Sequence, residues 1–300
     1  MQVPHLLQQL TRVPRRLLRE SIMYLQLARL ATLSRFGRQP ITHPGGPVVS
    51  LTSYGKRIGT AHLAIESISR GSSRPSRLLL WIDDEFLFSH LPTSIQRLQK
   101  RGLEVTLCRD YGPHKKYYAY VESQGAFRLP LVTADDDILY PRYWLKGLIK
   151  ANHEHPDVVN CYGAHVIPVN ESGFERYKSW KLATSTIPCY CHVAMGGLGT
   201  IYPPAFLAKL KCAGESFTTC CPTGDDLWLH VQAVRARFKV RQILPRLPYF
   251  SFQMIPRTQQ YALSCNNVDR DGNELQINAT YTAEDISFLW NNCAVRVNLP

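Results

Sequence analysis

A chain of 300 residues with 45% hydrophobic, 10% aromatic and 19% charged side chains has enough apolar material for one large globular domain, or two small ones. It cannot be read as disordered, collagen-like or coiled coil throughout. Thirty-five Lys and Arg against 23 Asp and Glu leave a net charge of +12, which draws the protein toward nucleic acid, phospholipid headgroups or phosphate-bearing substrates.

Residues 1–45 hold seven arginines against the single acid Glu20, so half of the net charge lies there and the body is only mildly basic. From Leu6 to Leu33 apolar residues recur at helical spacing, first Leu6, Leu10, Val13 and Leu17, then Leu18, Ile22 and Leu25 on a shifted face. Pro14 is expected to break this stretch into two helices. A basic amphipathic arm of this kind suits an anionic membrane surface, or packs on its own domain or a second subunit. No run of about 18 uncharged apolar residues exists, so nothing is expected to span a bilayer. Gln39 to Pro47 reads as a linker, dividing a helical arm and linker at 1–45 from a catalytic-looking body at 46–300.

Beyond the linker, short apolar runs alternate with helical stretches. Val48 to Thr52 precedes Ala61 to Ser69; Arg77 to Ile82 precedes Ser94 to Lys100; Glu104 to Cys108 precedes Tyr117 to Gln124; Leu129 to Ala134 precedes Trp144 to His153; and Val158 to Tyr162 follows. This rhythm predicts an α/β fold with an open, mostly parallel sheet and helices on both faces. Ligands of such sheets bind beyond the carboxyl ends of the strands, so the residues just after each strand are the informative ones.

Nine cysteines, an odd number in a long chain with no signal peptide ahead of it, point to buried free thiols and a reducing cytoplasm. Cys189-x-Cys191 and Cys220-Cys221 lack the two intervening residues that a zinc ribbon or a thioredoxin-type pair needs.

The strongest chemical signal is Leu131 to Pro141, where an apolar run delivers Asp135, Asp136 and Asp137 together. Three adjacent carboxylates repel one another and survive at a strand end only if a cation or several donors neutralise them. Hard divalent ions, Mn2+ or Mg2+, take oxygen ligands and share them with substrate phosphates, and Asp135 and Asp137 are spaced to meet one ion. A turn capping the next helix is the plain structural alternative.

Thr133-Ala-Asp135-Asp136-Asp137-Ile-Leu-Tyr-Pro141 resembles the Asp-x-Asp signature of GT-A fold nucleotide-sugar glycosyltransferases, in particular the bacterial family 2-like enzymes that build capsules and lipopolysaccharide. Tyr140-Pro141-Arg-Tyr-Trp144 matches a continuation of the same motif. In the same order come a first strand and nucleotide loop at Val49 to Ile58, a second strand ending at Asp83 and Asp84, Tyr111 to Tyr117 before the metal motif, Met195 to Pro204, and Thr223 to Trp228. The resemblance covers about residues 48 to 278 and leaves the arm outside. It implies a GT-A catalytic domain and a Mn2+- or Mg2+-dependent, inverting, hexosyltransferase-type enzyme. The partners it implies are a nucleotide-diphosphate sugar donor and a glycan or glycolipid acceptor. From the cysteines and the basic arm, rather than from the resemblance, a cytoplasmic location is expected, peripheral on the inner membrane face if the arm meets it, and the charge distribution argues against nucleic acid.

Individual residues acquire expected roles. Thr52 and Ser53 lie in the nucleotide loop, Asp83 and Asp84 are placed to accept hydrogen bonds from base or ribose, and Asp136 joins Asp135 on the donor side. Arg57 and Lys116 would neutralise the diphosphate, Lys116 being preferred over Lys115 by the resemblance. Gly196, Gly197 and Gly199 would let backbone approach a sugar, with Trp228 beside the acceptor. By resemblance, Asp226 is the base that takes the acceptor proton and Asp225 tunes or positions it; a helix cap would produce the same pair. Some metal-dependent relatives add a late His ligand, whereas His230 is the last His here, so either water serves the ion or His230 is helical surface. The stretch from Asp269 is no calcium loop, because its twelfth position is Thr280 rather than Glu; a polar loop near the acceptor would carry Asn273 and Gln276. A nucleotidyltransferase and a non-catalytic basic adaptor binding membrane or nucleic acid are the competing classes. Thr52-Ser-Tyr-Gly-Lys-Arg57 is a poor phosphate loop for the former, and the body lacks the aromatic-basic stripe of a nucleic-acid binder.

Overall fold

The computed structural model describes residues 5–170, 173–248, 251–261, 267 and 271–293, with side chains from residue 20 onward except at 261. The elements run α1 His5–Phe36, β1 Val48–Thr52, α2 Ile58–Ser69, β2 Arg77–Ile82, α3 Glu85–Ser89, α4 Thr93–Gln99, β3 Leu103–Leu107, α5 Lys115–Ser123, β4 Leu131–Thr133, β5 Ile138–Leu139, α6 Trp144–Glu154 and β6 Val159–Cys161. They continue β7 Ala164–Val166, β8 Val169–Asn170, β9 Gly173–Phe174, β10 Lys181–Leu182, β11 His192–Ala194, β12 Thr200–Tyr202, α7 Pro204–Ala213, α8 Phe217–Cys220, α9 Asp225–Arg235, β13 Val240–Gln242, β14 Gln253–Met254, α10 Gly272–Thr280 and α11 Ala283–Cys293.

Seven strands form the central sheet in the order β13-β6-β12-β4-β1-β2-β3. β1 pairs in parallel with β2 and β4, and β2 with β3; β12 alone runs against its neighbours β4 and β6. The α/β class and mostly parallel sheet expected from the sequence are therefore present. Alternation along each strand divides the core in two. Val49, Leu51, Leu78, Leu80 and Val132 pack with Ile65 and Ile68 of α2 and Leu98 of α4. Val48, Leu79, Trp81 and Leu131 pack with Tyr117 and Val121 of α5, Phe206 of α7 and Val231 of α9. Strands apolar on both faces are what a sheet covered by helices on each side requires.

Two expectations are corrected, the break at Pro14 and the free thiols. α1 is one helix that passes through Pro14, where the proline costs one backbone hydrogen bond while the chain stays helical on both sides. The Gln39 to Pro47 linker is tied to the body: Ile41 is fully buried and donates its N–H to the Arg101 carbonyl at 2.9 Å, and His43 donates to the Pro75 carbonyl at 2.8 Å. The thiols are not all free, since Cys191 of β11 and Cys293 at the end of α11 form a disulfide across a sequence separation of 102. The sulfur of Cys189 lies within 4.8 Å of both. Disulfides persist in oxidising surroundings, so the expectation of a reducing cytoplasm loses the cysteine argument that supported it. Among the described residues, no helix is long and apolar enough to cross a membrane.

The end of α1 belongs to the body. Leu30 is buried with Leu63 and Ala64 of α2, Leu139 of β5 and Ile255. Removing residues 1–19 is therefore expected to leave the melting temperature near wild type. Removing residues 1–40 exposes that cluster, and each fully buried aliphatic side chain contributes about 1.5–3 kcal/mol, so a drop of several degrees is expected. Equal melting temperatures for the two truncations in thermal denaturation would contradict this packing.

Candidate active site

The carboxyl ends of β1, β2 and β4 lie at one edge of the sheet, carrying Thr52 and Ser53, Asp83, and Asp135 to Asp137. Because β12 is antiparallel, its beginning arrives at the same edge, with Thr200 opposite Thr133, and brings in the glycine turn Gly196–Leu198. The first turn of α9 adds Asp225 and Asp226, acids at the end of a helix where the backbone dipole favours them. Together these segments line a cleft of about 550 Å3.

The three consecutive aspartates have separate duties. Asp136, 3% exposed, accepts from Ser53 Oγ through one oxygen and pairs with Arg57 through the other. Burial pushes its pKa up, against the pull of Arg57. Both oxygens being engaged, Asp136 braces the cleft floor and holds Arg57 and Ser53. Asp137 lies 3.0 Å from Arg57 and accepts from Gln259 Nε2 at 2.8 Å. Burial, reinforced by the charge of Asp135, pushes its pKa up to about 6. Asp135 is a third exposed and meets Lys116 Nζ at 3.1 Å.

Lys116 joins the two acidic motifs. Its buried ammonium is 3.1 Å from Asp135 and 2.9 Å from Asp225. Burial lowers its pKa, but the charges of Asp135, Asp225 and Asp226 outweigh this and hold it well above the usual lysine value. Asp226 lines the cleft and accepts from the Gly196 N–H at 3.0 Å. Burial first, and then the charge of Asp225, push its pKa up to about 7.

The glycines serve these carboxylates. A Cβ on Gly196 would sit 2.7 Å from Asp226 Oδ1, and one on Gly197 would collide with the Asp135 carboxylate. Gly199, at φ +104°, lies against the Trp144 indole, where a side chain would fit neither backbone nor space. The turn is clamped from behind. Tyr140 Oη accepts from the Asp135 N–H at 2.7 Å and donates to the Gly197 carbonyl at 2.6 Å, while Trp144 Nε1 donates to Leu198 at 2.9 Å. The Tyr140-Pro-x-x-Trp144 pattern was legible in sequence; the positioning role of its two aromatics was not.

Other expected residues divide. Thr52 lines the cleft while its hydroxyl donates to Trp81 at 3.1 Å. Asp83 also lines it, paired with Lys115, which reaches Asp110 at 3.0 Å as well. Lys115 and Asp110 were missed, since only the fold separates two neighbouring lysines onto different partners. Asp84 turns away: exposed, it caps α3 by accepting from the Leu87 N–H at 2.8 Å. Trp228 is 3% exposed and packs edge-on against Phe217, so it lies in the core rather than in a sugar pocket. His230 is buried, not helical surface; its ring bonds Tyr281 Oη and the Tyr190 carbonyl, each at 2.7 Å, and burial drives its pKa down to about 4. Gln276 braces the turn before α9 by accepting from the Thr223 N–H at 2.8 Å. Asn273 lines a smaller cavity of about 160 Å3 that opens onto Asp226 beside His165 and Tyr177. Positions 269 and 270 of the same loop lie outside the described residues.

Seven aspartates and three cations line the main cleft, a formal charge of −4 with all groups ionised. An anionic ligand can enter only with added positive charge. Of the three consecutive aspartates, Asp136 has both oxygens engaged, while Asp135 and Asp137 are each paired through one oxygen only, which leaves a hard donor pair suited to Mn2+ or Mg2+. No three carboxylates among the described residues approach one another within 4.8 Å, so further ligands would come from water or a bound phosphate.

No protein-family model matches the chain. No curated protein matches it. Among solved structures it is similar to GalNAc-T7 with UDP, GalNAc and Mn2+ (TM-score 0.45, 14% identity, covering 65% of this chain and 41% of that one). It is also similar to the mannosyltransferase PcManGT from Pyrobaculum calidifontis in complex with GDP-Man and Mn2+ (0.44, 13%, 72% and 61%). A third is CMP:2-keto-3-deoxy-manno-octonic acid synthetase complexed with CTP (0.41, 15%, 65% and 88%). The chain thus spans about two fifths of the length of the first and three fifths of the second. At these scores the likenesses carry no chemical argument, which rests on the residues of the cleft.

Proposed function

We propose that the protein is a metal-dependent glycosyltransferase that moves a sugar from a nucleotide diphosphate to a hydroxyl of a glycan or glycolipid, with inversion. The observation that supports this most is Lys116, which ties the Asp135 end of a divalent-cation motif to the Asp225–Asp226 pair across one cleft. Asp135 and Asp137 would hold the ion, and Asp83, which lines the same cleft, would accept from the ribose or base. A bound Mn2+ or Mg2+ supplies the positive charge that lets a diphosphate sit among these acids and leave.

The remaining chemistry belongs to the side chains. Asp226, poised near neutrality, takes the proton of the acceptor hydroxyl from the side of the smaller cavity. As that oxygen bonds to the anomeric carbon, the bond from carbon to the diphosphate oxygen breaks and its electron pair departs with the diphosphate. Direct attack opposite the leaving group inverts the configuration. Asp225, tied to Lys116, keeps the base in place.

Thermal denaturation with a panel of nucleotide-sugars, in Mn2+ and in chelator, tests the reading. One donor is expected to raise the melting temperature by several degrees in Mn2+ alone, since ligand at 100 times its Kd adds about 2.7 kcal/mol. A full panel without a Mn2+-dependent shift would defeat the proposal.

A further inference from the structure

We propose that a second groove, between α1 and α2, binds the phosphate of anionic phospholipid headgroups and seats the protein on a membrane surface. This groove of about 500 Å3 is lined by Leu25, Arg29, Leu33, Arg70, Tyr140 and Arg142, among others. No acid lines it, so its charge is opposite to that of the catalytic cleft. Arg29 and Arg142 are exposed and make no ion pair or side-chain hydrogen bond among the described residues. Arg70 has only a remote partner. Its Nε is 3.7 Å from Glu66, a fully buried carboxylate already paired with Arg101, and that Nε is buried without a hydrogen bond. Three guanidinium groups therefore share a concave wall whose one nearby carboxylate, Glu66, is divided between Arg70 and Arg101. Planar guanidinium donors match phosphate oxygens in pairs.

The apolar surface decides which phosphate. Ile22, 50% exposed, and Leu25, 71% exposed, precede Arg29 by about two turns and one turn of α1, so the three side chains share one face of that helix. Tyr24, 59% exposed, adds an amphipathic ring. A free phosphate or a nucleic acid has no use for exposed aliphatic side chains beside its cations, whereas a bilayer takes both at once. The described part of α1 thus ends in a site with a headgroup-level cation wall and an acyl-level edge.

Sedimentation of the full-length protein with vesicles of phosphatidylcholine alone, and of phosphatidylcholine mixed with phosphatidylglycerol, tests this. Binding is expected only to the mixed vesicles and to weaken with salt. The Arg29→Glu/Arg142→Glu double variant should partition at least about 10-fold less, and Leu25→Asp should also bind less, both with wild-type melting temperatures because the side chains are exposed. Undiminished binding by these variants, or loss only when residues 1–19 are deleted, would overturn the groove as the contact. Thermal stabilisation by inorganic phosphate without any vesicle binding would overturn the lipid as its ligand.

Discussion

Asp226→Asn is expected to lower turnover by at least about 10²-fold, the lower range of general base catalysis, while donor binding in Mn2+ stays close to wild type. The amide keeps the shape and can still accept from the Gly196 N–H, which Asp226 Oδ1 meets at 3.0 Å, but it cannot take a proton. The wild-type rate should rise with pH and level off above about 7, where Asp226 is ionised, and the variant should lose that dependence. Stability moves the other way. The folded protein keeps the Asp226 proton up to about pH 7, whereas an unfolded aspartic acid releases it near its ordinary value of 3.8. Folding therefore loses stability as pH rises between these values, and the loss is complete above the folded pKa. Asp226→Asn should accordingly raise the melting temperature at pH 8 and change it little at pH 4. Product NMR should show inverted anomeric configuration for the wild type. Normal turnover by the variant, or a retained configuration, would reduce Asp226 to a helix-end acid.

Asp137→Ala is expected to abolish transfer and Mn2+-dependent nucleotide binding without loss of fold. Its carboxylate has a pKa raised to about 6 by burial and by Asp135, so its charge is held at a cost that the alanine removes. In the wild type, Mn2+ binding should weaken as pH falls through about 6 and Asp137 takes a proton. Asp136→Ala is the contrasting variant. It leaves the buried Ser53 Oγ without its acceptor and removes the carboxylate to which Arg57 donates its side-chain hydrogen bond, whereas Asp137 is bonded by Gln259. Each such unmet group costs about 1–3 kcal/mol, so this variant should melt several degrees lower. Isothermal titration with Mn2+ and nucleotide, beside thermal melts, separates the two. Unchanged metal-dependent binding by Asp137→Ala would remove the metal motif from the proposal.

What the sequence determined by itself is whatever depends on near neighbours. The bounds of β1 and β2 follow from short, largely apolar segments of five and six residues, and both are met at Val48–Thr52 and Arg77–Ile82. The acids after β4 stood out because an apolar strand seldom ends in three like charges without a purpose. Alternation of strand and helix was enough for the sheet class, since each pattern must bury its own face.

Tertiary structure alone decided how these pieces share partners. Lys115 and Lys116 are chain neighbours, yet one meets Asp83 and Asp110 and the other Asp135 and Asp225, because successive side chains on α5 point in different directions. Asp135, Asp136 and Asp137 likewise differ only in the direction each leaves the turn, and this separates a floor brace from two open oxygen donors. Trp228 and His230 became core and Cys191 met Cys293, each outcome set by crossovers that bring distant segments into register. Periodicity reports which face of an element is apolar; it carries no information about the distant residue that will cover it.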